Sequence, residues 1–549
     1  MSKQVEVEDA VRLVESGATV ALAGLISLAV PEMVLRSLGE RFRQTGQPRD
    51  LTLFAPNRPG WKPEPPTGLE HFAQAGMVRR LISSTFSRRD SPRFVEMAVN
   101  GGFEAYSYPM GCLYRMVRET AAGSPGFVST VGLHTYVDPA AENAGTAGVN
   151  SKSPDPGLVR RIEIDGDPHL FYRSMPFDVA IIRGTVADPD GNISLEGEPV
   201  SVGMRYFAMA ARNSGGKVIA QVKRMVERGA IHPRMVEVPG ILVDAVVVDP
   251  DSIQSQLGKY DPSLSGETRN PDLALPALPF DIRKVITRRA LMEIQPGQTV
   301  NLGVGIGTGI PSVAREEGLL EHIAFSLEHG AIGGVPAMGT SANSGAFGAH
   351  YNPDAIIDST EIFDFYHGGG LDVTVLGFAE IDRHGSVNVG WFAGNLRGPG
   401  GFVDITHRTR TVLFCGTLTA GGLDVAIEGG ARPSLSILKE GRNRKFVERV
   451  EQVNFHGPTG AAKGQRILIV TERAVFQVGD TGLTLIEIAP GIRVDQDIRP
   501  FVGFDFKLSP DLREMDHRIF RNGPMGHVCP NGRHAAPGRQ AAGGTELEG

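Results

Sequence analysis

The sequence predicts an α/β protein made of two similar open α/β domains, each with a mostly parallel sheet. Short apolar runs alternate with segments of helical spacing along most of the 549 residues, as in βα units. Motifs also recur: Gly17-Ala-Thr-Val-Ala-Leu matches Gly297-Gln-Thr-Val-Asn-Leu, and Pro31 and Pro311 follow at the same spacing. Duplicated α/β domains usually face each other, so we expect the functional site in the crevice between them.

The elements of the first domain are predicted from local patterns. A helix over residues 8–16 ends at Gly17, a buried strand follows at 18–24, and Pro31 opens a helix that runs through Leu38. The further expected elements are strands at 51–54, 77–82 and 178–183, a helix at 115–121 that stops at Gly123, and a turn at 188–192. The last of these strands is almost wholly apolar, as is typical of a parallel sheet covered on both faces.

A second repeat supports the duplication and helps to set the domain boundaries. The positions that recur at one constant spacing are Asp178, Asp188, Gly191 and Val218, which match Asp372, Asp382, Gly385 and Val412. Residues 251–280 are rich in Asp, Ser, Gly and Pro and show little periodicity, so we expect a linker there. The predicted domains are therefore 1–250 and 281–520. Residues 521–549 contain few large aliphatic side chains and are expected to form a disordered tail.

The composition argues against several classes of function. The net charge is −7 and no dense Lys/Arg cluster occurs, which argues against a nucleic-acid surface. No apolar run approaches the roughly 18 residues that would span a bilayer, and the N-terminus has no signal core. Cys112, Cys415 and Cys529 show neither a metal-ligand spacing nor a paired framework. We therefore expect a cytoplasmic protein without a metal, a nucleic-acid partner or a membrane partner.

The stretch from Phe325 to Pro336 contains the leading candidate for chemistry. An apolar run reaches Glu328 and is followed by three closely spaced glycines, which predicts a strand that presents one carboxylate to a glycine loop. A carboxylate sheltered from water can act as a nucleophile. Taken alone, the pattern fits a solvated turn residue better. His329 is adjacent, but neighbouring side chains on a strand point to opposite faces, so a Glu328–His329 pair is not expected.

Three glycine-rich loops are further candidates. The turn at 301–311 follows a strand and precedes a helix, so its N–H groups could hold a phosphate or the arm of a cofactor; a simple tight turn is the alternative. The loop at 398–402 could present N–H groups to an oxyanion, or form only a kink. The third loop is the glycine run at 368–370, which follows His367. We expect His367 to be structural or exposed. The sequence contains no P-loop, serine elbow or zincin helix.

Taken in order, these segments resemble the family I coenzyme A transferases. The motifs that carry the resemblance are Asn301-Leu-Gly-Val-Gly, Glu328-His-Gly-Ala-Ile-Gly-Gly, Gly369-Gly-Leu-Asp-Val-Thr-Val-Leu-Gly377 and Gly400-Gly-Phe-Val-Asp404. They are most similar to the fused acyl-CoA:acetate/3-ketoacid, or propionate-type, subgroup. The resemblance covers about residues 5–520. It implies the CoA-transferase fold, with an alpha-subunit-like first domain and a beta-subunit-like second domain.

The resemblance also implies an activity and a set of site residues. Glu328 falls on the family's nucleophilic glutamate, and Gly401 on its oxyanion-binding backbone N–H. The residues that would line the coenzyme A site are Leu302, Gly303, Val304, Gly305, Gly400 and Gly401. Coenzyme A is expected as substrate and covalent intermediate, with no tightly bound cofactor. Acyl-CoA and small carboxylic acids are the expected partners, in short-chain fatty acid or ketone body metabolism, and a homo-oligomer, a dimer or tetramer, is the expected assembly.

Several positions depart from the family pattern, mostly in the first domain. Met110 stands where relatives have Gln, whose amide supplies an oxyanion contact, and Gly24 is single where relatives tend to have two glycines. The region 83–90 also differs, and His329 replaces a commoner Ser or Asn. We therefore expect that coenzyme A chemistry is kept while the acyl or acceptor pocket, with Met110 and Gly24 as candidate residues, has changed.

These inferences predict an acyl-CoA:carboxylate CoA transferase that works by ping-pong catalysis through Glu328. One alternative is an acyl-CoA thioesterase, in which water takes the acyl group in the altered pocket. Another is a catalytically weakened CoA-binding homologue. An anionic acceptor could be bound by Arg88, Arg89 and Arg93, although a solvated basic turn explains the same cluster.

Overall fold

A computed structural model of the protein describes residues 2–141, 147–154, 156–337, 346–430 and 432–526. We refer to the described residues up to 250 as the first half, and to those from 281 onward as the second half. The α-helices within these residues are α1 (Val7–Val11), α2 (Glu32–Thr45), α3 (Pro92–Val99), α4 (Met110–Ala121), α5 (Met204–Asn213), α6 (Pro262–Ser265), α7 (Ile282–Leu291), α8 (Ile310–Glu316), α9 (Ser359–His367), α10 (Phe402–Thr406) and α11 (Gly457–Ala462).

The first half is built around one wholly parallel sheet, with short antiparallel additions. Its strands are β1 (Thr19–Leu22), β2 (Leu51–Ala55), β3 (Val78–Ser83), β4 (Glu104–Ser107), β5 (Gly126–Ser129), β6 (Val159–Ile164), β7 (Asp167–Arg173), β8 (Val179–Arg183), β9 (Val186–Ala187), β10 (Ile193–Ser194), β11 (Lys217–Val222), β12 (Arg224–Met225) and β13 (Ala245–Val248). The parallel sheet has the order β13-β11-β8-β1-β2-β3-β4. Every residue of β2 and β8 is buried, which agrees with the apolar runs that predicted them.

The second half contains a mixed sheet whose centre is parallel. Its strands are β14 (Thr299–Leu302), β15 (Ala324–Ser326), β16 (Ala331–Ile332), β17 (Val335–Pro336), β18 (His350–Tyr351), β19 (Ala355–Ile356), β20 (Val373–Leu376), β21 (Glu380–Ile381), β22 (Val387–Asn388), β23 (Trp391–Phe392), β24 (Asn395–Leu396), β25 (Thr411–Cys415), β26 (Thr419–Ala420), β27 (Asp424–Glu428), β28 (Ser434–Lys439), β29 (Asn443–Arg444), β30 (Arg466–Val470), β31 (Ala474–Gly479), β32 (Gly482–Ile488) and β33 (Lys507–Glu514). The main sheet has the order β19-β16-β15-β14-β20-β25-β30-β31-β32-β33.

The two sheets share their central arrangement. In the first half β1 lies between β8 and β2, and in the second half β14 lies between β20 and β15, with all four pairings parallel. The next strands outward, β11 and β25, occupy equivalent places. The starts of β1 and β14 are 280 residues apart, and those of β8 and β20 and of β11 and β25 are 194 apart, which are the spacings at which the sequence motifs repeat. The predicted two similar, mostly parallel α/β domains are therefore confirmed.

The structure corrects several predicted boundaries in the first half. Helix α1 ends at Val11, because the Arg41 guanidinium binds the carbonyls of Val11 and Val14, at 2.5 and 3.0 Å, and the chain turns there. Helix α2 continues past Leu38 to Thr45, where Gly46 adopts a left-handed conformation. Helix α4 begins at Met110, five residues before the predicted start. The cause is tertiary, because the N–H of Met110 is held by the second half, which local spacing does not reveal.

The boundaries of the linker and the tail remain predictions. Residues 251–280 contain only the short helix α6 among largely irregular segments. At the other end, Arg288 of α7 binds the carbonyl oxygens of Arg521 and Gly523, at 2.6 and 2.5 Å, and Met525 is buried. These contacts attach residues 521–526 to the second half. The rest of the expected tail, including Cys529, lies outside the described residues.

The larger of two buried apolar clusters runs through both halves, whose contact includes three helices. Helix α4 of the first half packs on α9 and α10 of the second, with the Tyr114 and Phe363 rings stacked at 6.1 Å. Backbone hydrogen bonds also cross the contact, including one of 2.9 Å from Tyr136 to Val453. The halves therefore form a continuous interior at this contact. Within the described residues, no helix is long and apolar enough to cross a membrane.

Candidate active site

Glu328 lies in the tight turn that joins β15 to β16. The N–H of Leu327 donates to the carbonyl of Ala331 at 3.2 Å, and the N–H of Gly330 donates back to Leu327 at 3.1 Å. Glu328 and His329 are thus the two central residues of a turn. The predicted strand reached Glu328, but the observed strand ends two residues earlier, at Ser326. The carboxylate is therefore presented by a hairpin at the sheet edge.

The glycines after Glu328 allow close backbone packing. A Cβ atom added to Gly330 would lie 1.7 Å from the carbonyl oxygen of Ile357, and one added to Gly333 would lie 1.9 Å from Asp354 Oδ2. Both glycines also have positive φ, of 98° and 70°. These glycines thus allow close approach of the residues Ile357 and Asp354, and not of a ligand. The glycines fix the Glu328 turn against the segment that leads into α9.

Asn301 holds the Glu328 carboxylate from the neighbouring strand. Its Nδ2 donates to Glu328 Oε2 at 3.3 Å and to the carbonyl of Ser326 at 3.2 Å, while Thr374 donates to its Oδ1 at 3.2 Å. Asn301 is fully buried and pairs in register with Ser326. Asn301 belongs to a motif singled out in the sequence, but no role was predicted for it. Its strand-end position next to the Glu328 strand was the available signal.

The surroundings raise the pKa of Glu328 above its usual range. Burial is the largest cause, and the nearby negative charge of Asp404 acts in the same direction; the hydrogen bond from Asn301 opposes them. Tyr366 of α9 is fully buried and its hydroxyl bonds Ser326 Oγ at 2.7 Å. Burial and the charge of Glu328 together raise the pKa of this Tyr366 hydroxyl. A carboxylate with a raised pKa is more basic and more nucleophilic than one in water.

Gly401 lies in a loop that is held by the first half. The N–H of Gly400 donates to the carbonyl of Ser84, and the N–H of Met110 donates to the carbonyl of Gly400, both at 3.0 Å. Gly401 itself precedes α10 and packs against Phe363, whose ring lies 5.9 Å from that of Tyr366. Within the described part of the chain we find no hydrogen-bond acceptor for the Gly401 N–H. This N–H is available to a ligand.

Met110 and Gly24 reach the second half from two different loops. Met110 is 3% exposed, and its Cε would lie 3.6 Å from a Cβ atom on Gly400. Gly24 has a φ of 119°, and the next residue, Leu25, packs against Gly348. Gly348 in turn contacts the His329 ring. Both predicted pocket residues therefore lie at the contact of the halves, Met110 beside Gly400 and Gly24 near the Glu328 turn.

His329 is buried without a hydrogen-bond partner. Its side chain is 1% exposed, and neither ring nitrogen is bonded to any described residue. Burial lowers the pKa of His329 to about 3, so the ring is neutral at physiological pH. The ring packs edge-on against Phe347, with the centroids 6.3 Å apart. No Glu328–His329 pair forms, as expected, although the turn, not strand alternation, separates the two side chains.

The turn from Leu302 to Gly305 leaves the same sheet edge as Glu328. Leu302 is buried, and a Cβ atom on Gly303 would lie 2.7 Å from Leu376 Cδ2, so Gly303 permits packing against β20. Val304 is 44% exposed, and Gly305 faces open space with a φ of 112°. Because β14 and β15 are parallel neighbours, this turn and the Glu328 turn begin side by side. The exposed part is free to contact a ligand.

Among the remaining candidates, Arg93 and the two described cysteines are occupied or inert, and Arg88 and Arg89 are exposed. The guanidinium of Arg93 bonds Glu70 at 2.7 Å, so Arg93 is not a free anion-binding group, whereas Arg88 and Arg89 are exposed. Cys112 and Cys415 are buried, and burial raises the pKa of both thiols, that of Cys415 to about 12. No cluster of His, Cys, Asp and Glu suited to a metal occurs among the residues that the structure describes.

The fold and the site together define a two-domain α/β protein in which the half-buried Glu328 carboxylate is held by Asn301 near the contact of the halves. A family model described as coenzyme A transferase matches residues 5–249. Acetate CoA-transferase YdiF of Escherichia coli K12 is 38% identical over 96% of this chain and 97% of its own length. Caffeate CoA-transferase of Acetobacterium woodii is 40% identical over 95% and 98%. The chain therefore belongs to the coenzyme A transferase family and is a CoA transferase.

Solved structures agree with this assignment. The apoenzyme of an acyl-CoA transferase (YdiF) from Escherichia coli O157:H7 matches with a TM-score of 0.88 and 36% identity, over 96% of this chain and 98% of that chain. A thioester complex of the same enzyme with CoA matches with a TM-score of 0.87 and 37% identity over the same shares. The expected CoA-transferase fold is confirmed.

Proposed function

We propose that the protein moves coenzyme A between a short-chain acyl-CoA and a carboxylic acid through a glutamyl-CoA thioester on Glu328. The observation that carries the proposal is the setting of Glu328. It is a half-buried carboxylate with a raised pKa, held by Asn301 at the contact of the two halves. The relative crystallised as a thioester complex with CoA supports the same chemistry.

The reaction conserves the acyl-transfer potential in two exchanges. The Glu328 carboxylate attacks the thioester carbonyl of the donor and expels CoA thiolate, which gives an acyl-glutamyl anhydride. The thiolate then attacks the glutamyl carbonyl of the anhydride, which releases the donor's carboxylate and leaves the glutamyl-CoA thioester. The acceptor carboxylate reverses these steps and departs as its CoA thioester. No ATP is consumed, because a thioester is present at the start and at the end.

The surrounding groups supply the other requirements. Each attack forms a tetrahedral oxyanion, for which the free N–H of Gly401 is the proposed donor, with an effect of about 3 kcal/mol on the barrier. The exposed turn at Val304 and Gly305 is the proposed contact for the coenzyme A arm, together with Leu302, Gly303 and Gly400. An anhydride is hydrolysed rapidly in water, so the closed contact between Met110 and Gly400 would protect it.

The acyl groups are proposed to be uncharged. Met110 and Leu25 are apolar, His329 is neutral, and Arg93 is already paired with Glu70. The relatives' names include an acetate and a caffeate CoA-transferase, whose acids carry no second carboxylate. Acetate, propionate and larger acids that carry no charge other than the reacting carboxylate are therefore the first acceptors to examine. A homo-oligomer in the cytoplasm remains part of this proposal.

Trapping of the covalent intermediate tests the function. The full chain is incubated with acetyl-CoA or propionyl-CoA and then with borohydride, which reduces a glutamyl thioester to an alcohol that mass spectrometry locates. We expect the modification at Glu328, and no exchange by Glu328→Gln. Exchange that survives this substitution would refute the proposal. Release of CoA that does not depend on an acceptor would indicate a thioesterase. Binding of acyl-CoA without modification of Glu328 would indicate a non-catalytic CoA-binding protein.

A further inference from the structure

Asp404 joins the helix after Gly401 to the first half. It lies in the first turn of α10 and is fully buried. Its Oδ2 accepts the N–H of Gly111 at 3.0 Å, and its Oδ1 accepts Nε2–H of His367 at 2.9 Å. Because a carboxylate only accepts hydrogen bonds, His367 must donate from Nε2. Asp404 thus connects α10 with α4 of the first half and with α9.

This contact has little freedom to move. A Cβ atom on Gly111 would lie 2.7 Å from Asp404 Oδ1 and 2.6 Å from the Phe363 ring, so only glycine fits there. The preceding residue, Met110, bonds the carbonyl of Gly400 through its N–H. Two successive N–H groups of the first half therefore hold the two ends of the segment 400–404. Gly401 lies between these anchors, so its N–H is fixed in direction.

The negative charge of Asp404 also raises the pKa of Glu328, with a smaller effect than burial. Besides burial, the groups that shift the pKa of Glu328 are its own backbone N–H and the amide of Asn301 on β14, which lower it, and the carboxylate of Asp404 on α10, which raises it. Asp404 is the one ionisable side chain among them. The titratable groups packed near Asp404 itself are His367, Cys112, Tyr136 and Tyr172. The two tyrosines and Cys112 are neutral at physiological pH, because burial raises the pKa of each.

Beyond His367, further polar residues follow. The rings of His367 and His407 are 6.4 Å apart, and His407 lies 3.4 Å from Lys463 Nζ. Burial lowers the pKa of His407 well below its usual range, so His407 is neutral. Burial also lowers the pKa of Lys463, to about 8. The nearest possible positive charge to Asp404 is thus its own partner His367.

We propose that Asp404 is a positioning residue for the reaction at Glu328: it fixes the Gly401 N–H against the first half and keeps a negative charge near the nucleophile. The inference rests on the proposed function. Repulsion from Asp404 disfavours the free Glu328 carboxylate, but it vanishes when Glu328 becomes a neutral anhydride or thioester. The arrangement therefore favours formation of the covalent intermediate, which is an effect on the reacting state and not only on binding.

Charge removal at constant shape tests the proposal. Asp404→Asn keeps an oxygen for the Gly111 N–H but loses the charge. We expect the acid limb of the pH profile of kcat/KM to move to lower pH, because Glu328 then ionises more easily. We also expect a smaller fraction of the enzyme to be trapped as thioester at equilibrium, and kcat to fall by about tenfold as positioning loosens.

Asp358→Asn is the matched control. Asp358 is another buried carboxylate that spans the halves, with the Ser201 hydroxyl and the Gly203 N–H donating to it at 2.8 and 2.7 Å. It is not among the groups that shift Glu328. We expect Asp358→Asn to lower the thermal midpoint by a similar amount while the acid limb stays in place. If the acid limb of kcat/KM lay at the same pH in Asp404→Asn and in Asp358→Asn, Asp404 would be only structural and the proposal would be overturned.

A second variant keeps the test decisive if Asp404→Asn fails to fold. Asp404→Glu retains the charge but displaces it, so the acid limb should remain near that of the wild type while kcat falls. A limb that moves to lower pH in Asp404→Glu would overturn the proposal. Failure of the proposed function is distinguishable, because the wild type would then yield no reduced Glu328 after borohydride.

Discussion

Asn301 donates its side-chain amide to the Glu328 carboxylate from the adjacent parallel strand, at 3.3 Å. The same amide bonds the Ser326 carbonyl, two residues before Glu328, so its position is fixed by the sheet. One residue of β14 therefore orients the Glu328 carboxylate, the proposed nucleophile, while the residues that follow it form the exposed turn at Val304. This pairing explains how the sheet edge places the carboxylate and the proposed coenzyme A turn side by side.

Loss of this hydrogen bond should reduce activity and shift its pH dependence. Asn301→Ala removes a donor to the charged form of Glu328, so the pKa of Glu328 should rise further and the acid limb of kcat/KM should move to higher pH. A hydrogen bond to a charged group contributes about 1.5–3 kcal/mol, which corresponds to a loss of about 10- to 100-fold in kcat/KM. Initial rates from pH 5 to 8 would measure both effects.

Thr374→Val is the control for Asn301→Ala. Thr374 donates to Asn301 Oδ1 but has no contact with Glu328 in the structure, so its loss should leave the acid limb in place. If Asn301→Ala shifted the limb to lower pH, the assigned direction of the hydrogen bond would be wrong.

Met110→Gln should test whether Met110 lies in the proposed oxyanion site. Met110 is buried beside Gly400, and Gln has a similar volume but carries an N–H₂ donor. If the amide reaches the developing oxyanion, kcat with acetyl-CoA should increase by about tenfold, which is less than the full effect of one donor. The unbound enzyme should lose about 1–3 kcal/mol of stability, because the amide is then buried without a partner.

Met110→Leu conserves volume without adding a donor and serves as the control. A kcat for Met110→Gln no higher than that for Met110→Leu would argue that the side chain at this position does not face the reacting carbonyl.

His329→Leu should stabilise the protein, and more so at acid pH. Removal of two unpaired ring nitrogens should raise the free energy of unfolding by about 1 kcal/mol at pH 7.5. The pKa of His329 is about 3 in the folded state and about 6.5 in the unfolded state. Between these values the unfolded chain binds the extra proton, so acidification destabilises the wild type by up to about 1.4 kcal/mol per pH unit.

Urea unfolding at pH 7.5 and 5.0 measures this difference. The advantage of His329→Leu over the wild type should grow on going to pH 5.0. His322→Leu, at an exposed position, is the control for the loss of a histidine as such. A constant advantage at both pH values would mean that His329 is hydrated or bonded in solution.

The sequence predicted what depends on local pattern and repetition. Apolar runs located β2 and β8, and the repeated motifs located the equivalent strands β1 and β14. What it missed depends on distant contacts. Helix α1 ends where Arg41 binds the carbonyl of its last residue, and α4 begins where the N–H of Met110 bonds Gly400. Position 330 requires glycine because the Ile357 carbonyl leaves no room for a Cβ atom. The hydrogen bond from Asn301 to Glu328 and the contacts of Asp404 with α4 and α9 were missed for the same reason, because they depend on strand register and helix packing.

Gly330, the last residue of the Glu328 turn, provides the most direct test of how the Glu328 carboxylate is held. Gly330→Ala would place a Cβ atom 1.7 Å from the Ile357 carbonyl oxygen, at a φ of 98°. Backbone cannot yield as a flexible side chain does, so the turn or the entry to α9 must move. We expect a loss of at least about 3 kcal/mol in the free energy of unfolding, and a loss of activity in any folded fraction that exceeds about 100-fold.

Gly297→Ala separates steric crowding from backbone strain. Gly297 also has a positive φ, of 85°, but nothing lies within 4 Å of an added Cβ atom. Its replacement should therefore cost only the left-handed strain of about 1 kcal/mol and leave kcat unchanged. Similar effects of the two substitutions on stability and on kcat would mean that the Glu328 turn does not depend on its contact with Ile357. A large loss of kcat in Gly330→Ala alone, with thioester trapping reduced in parallel, would establish that this packing positions the carboxylate.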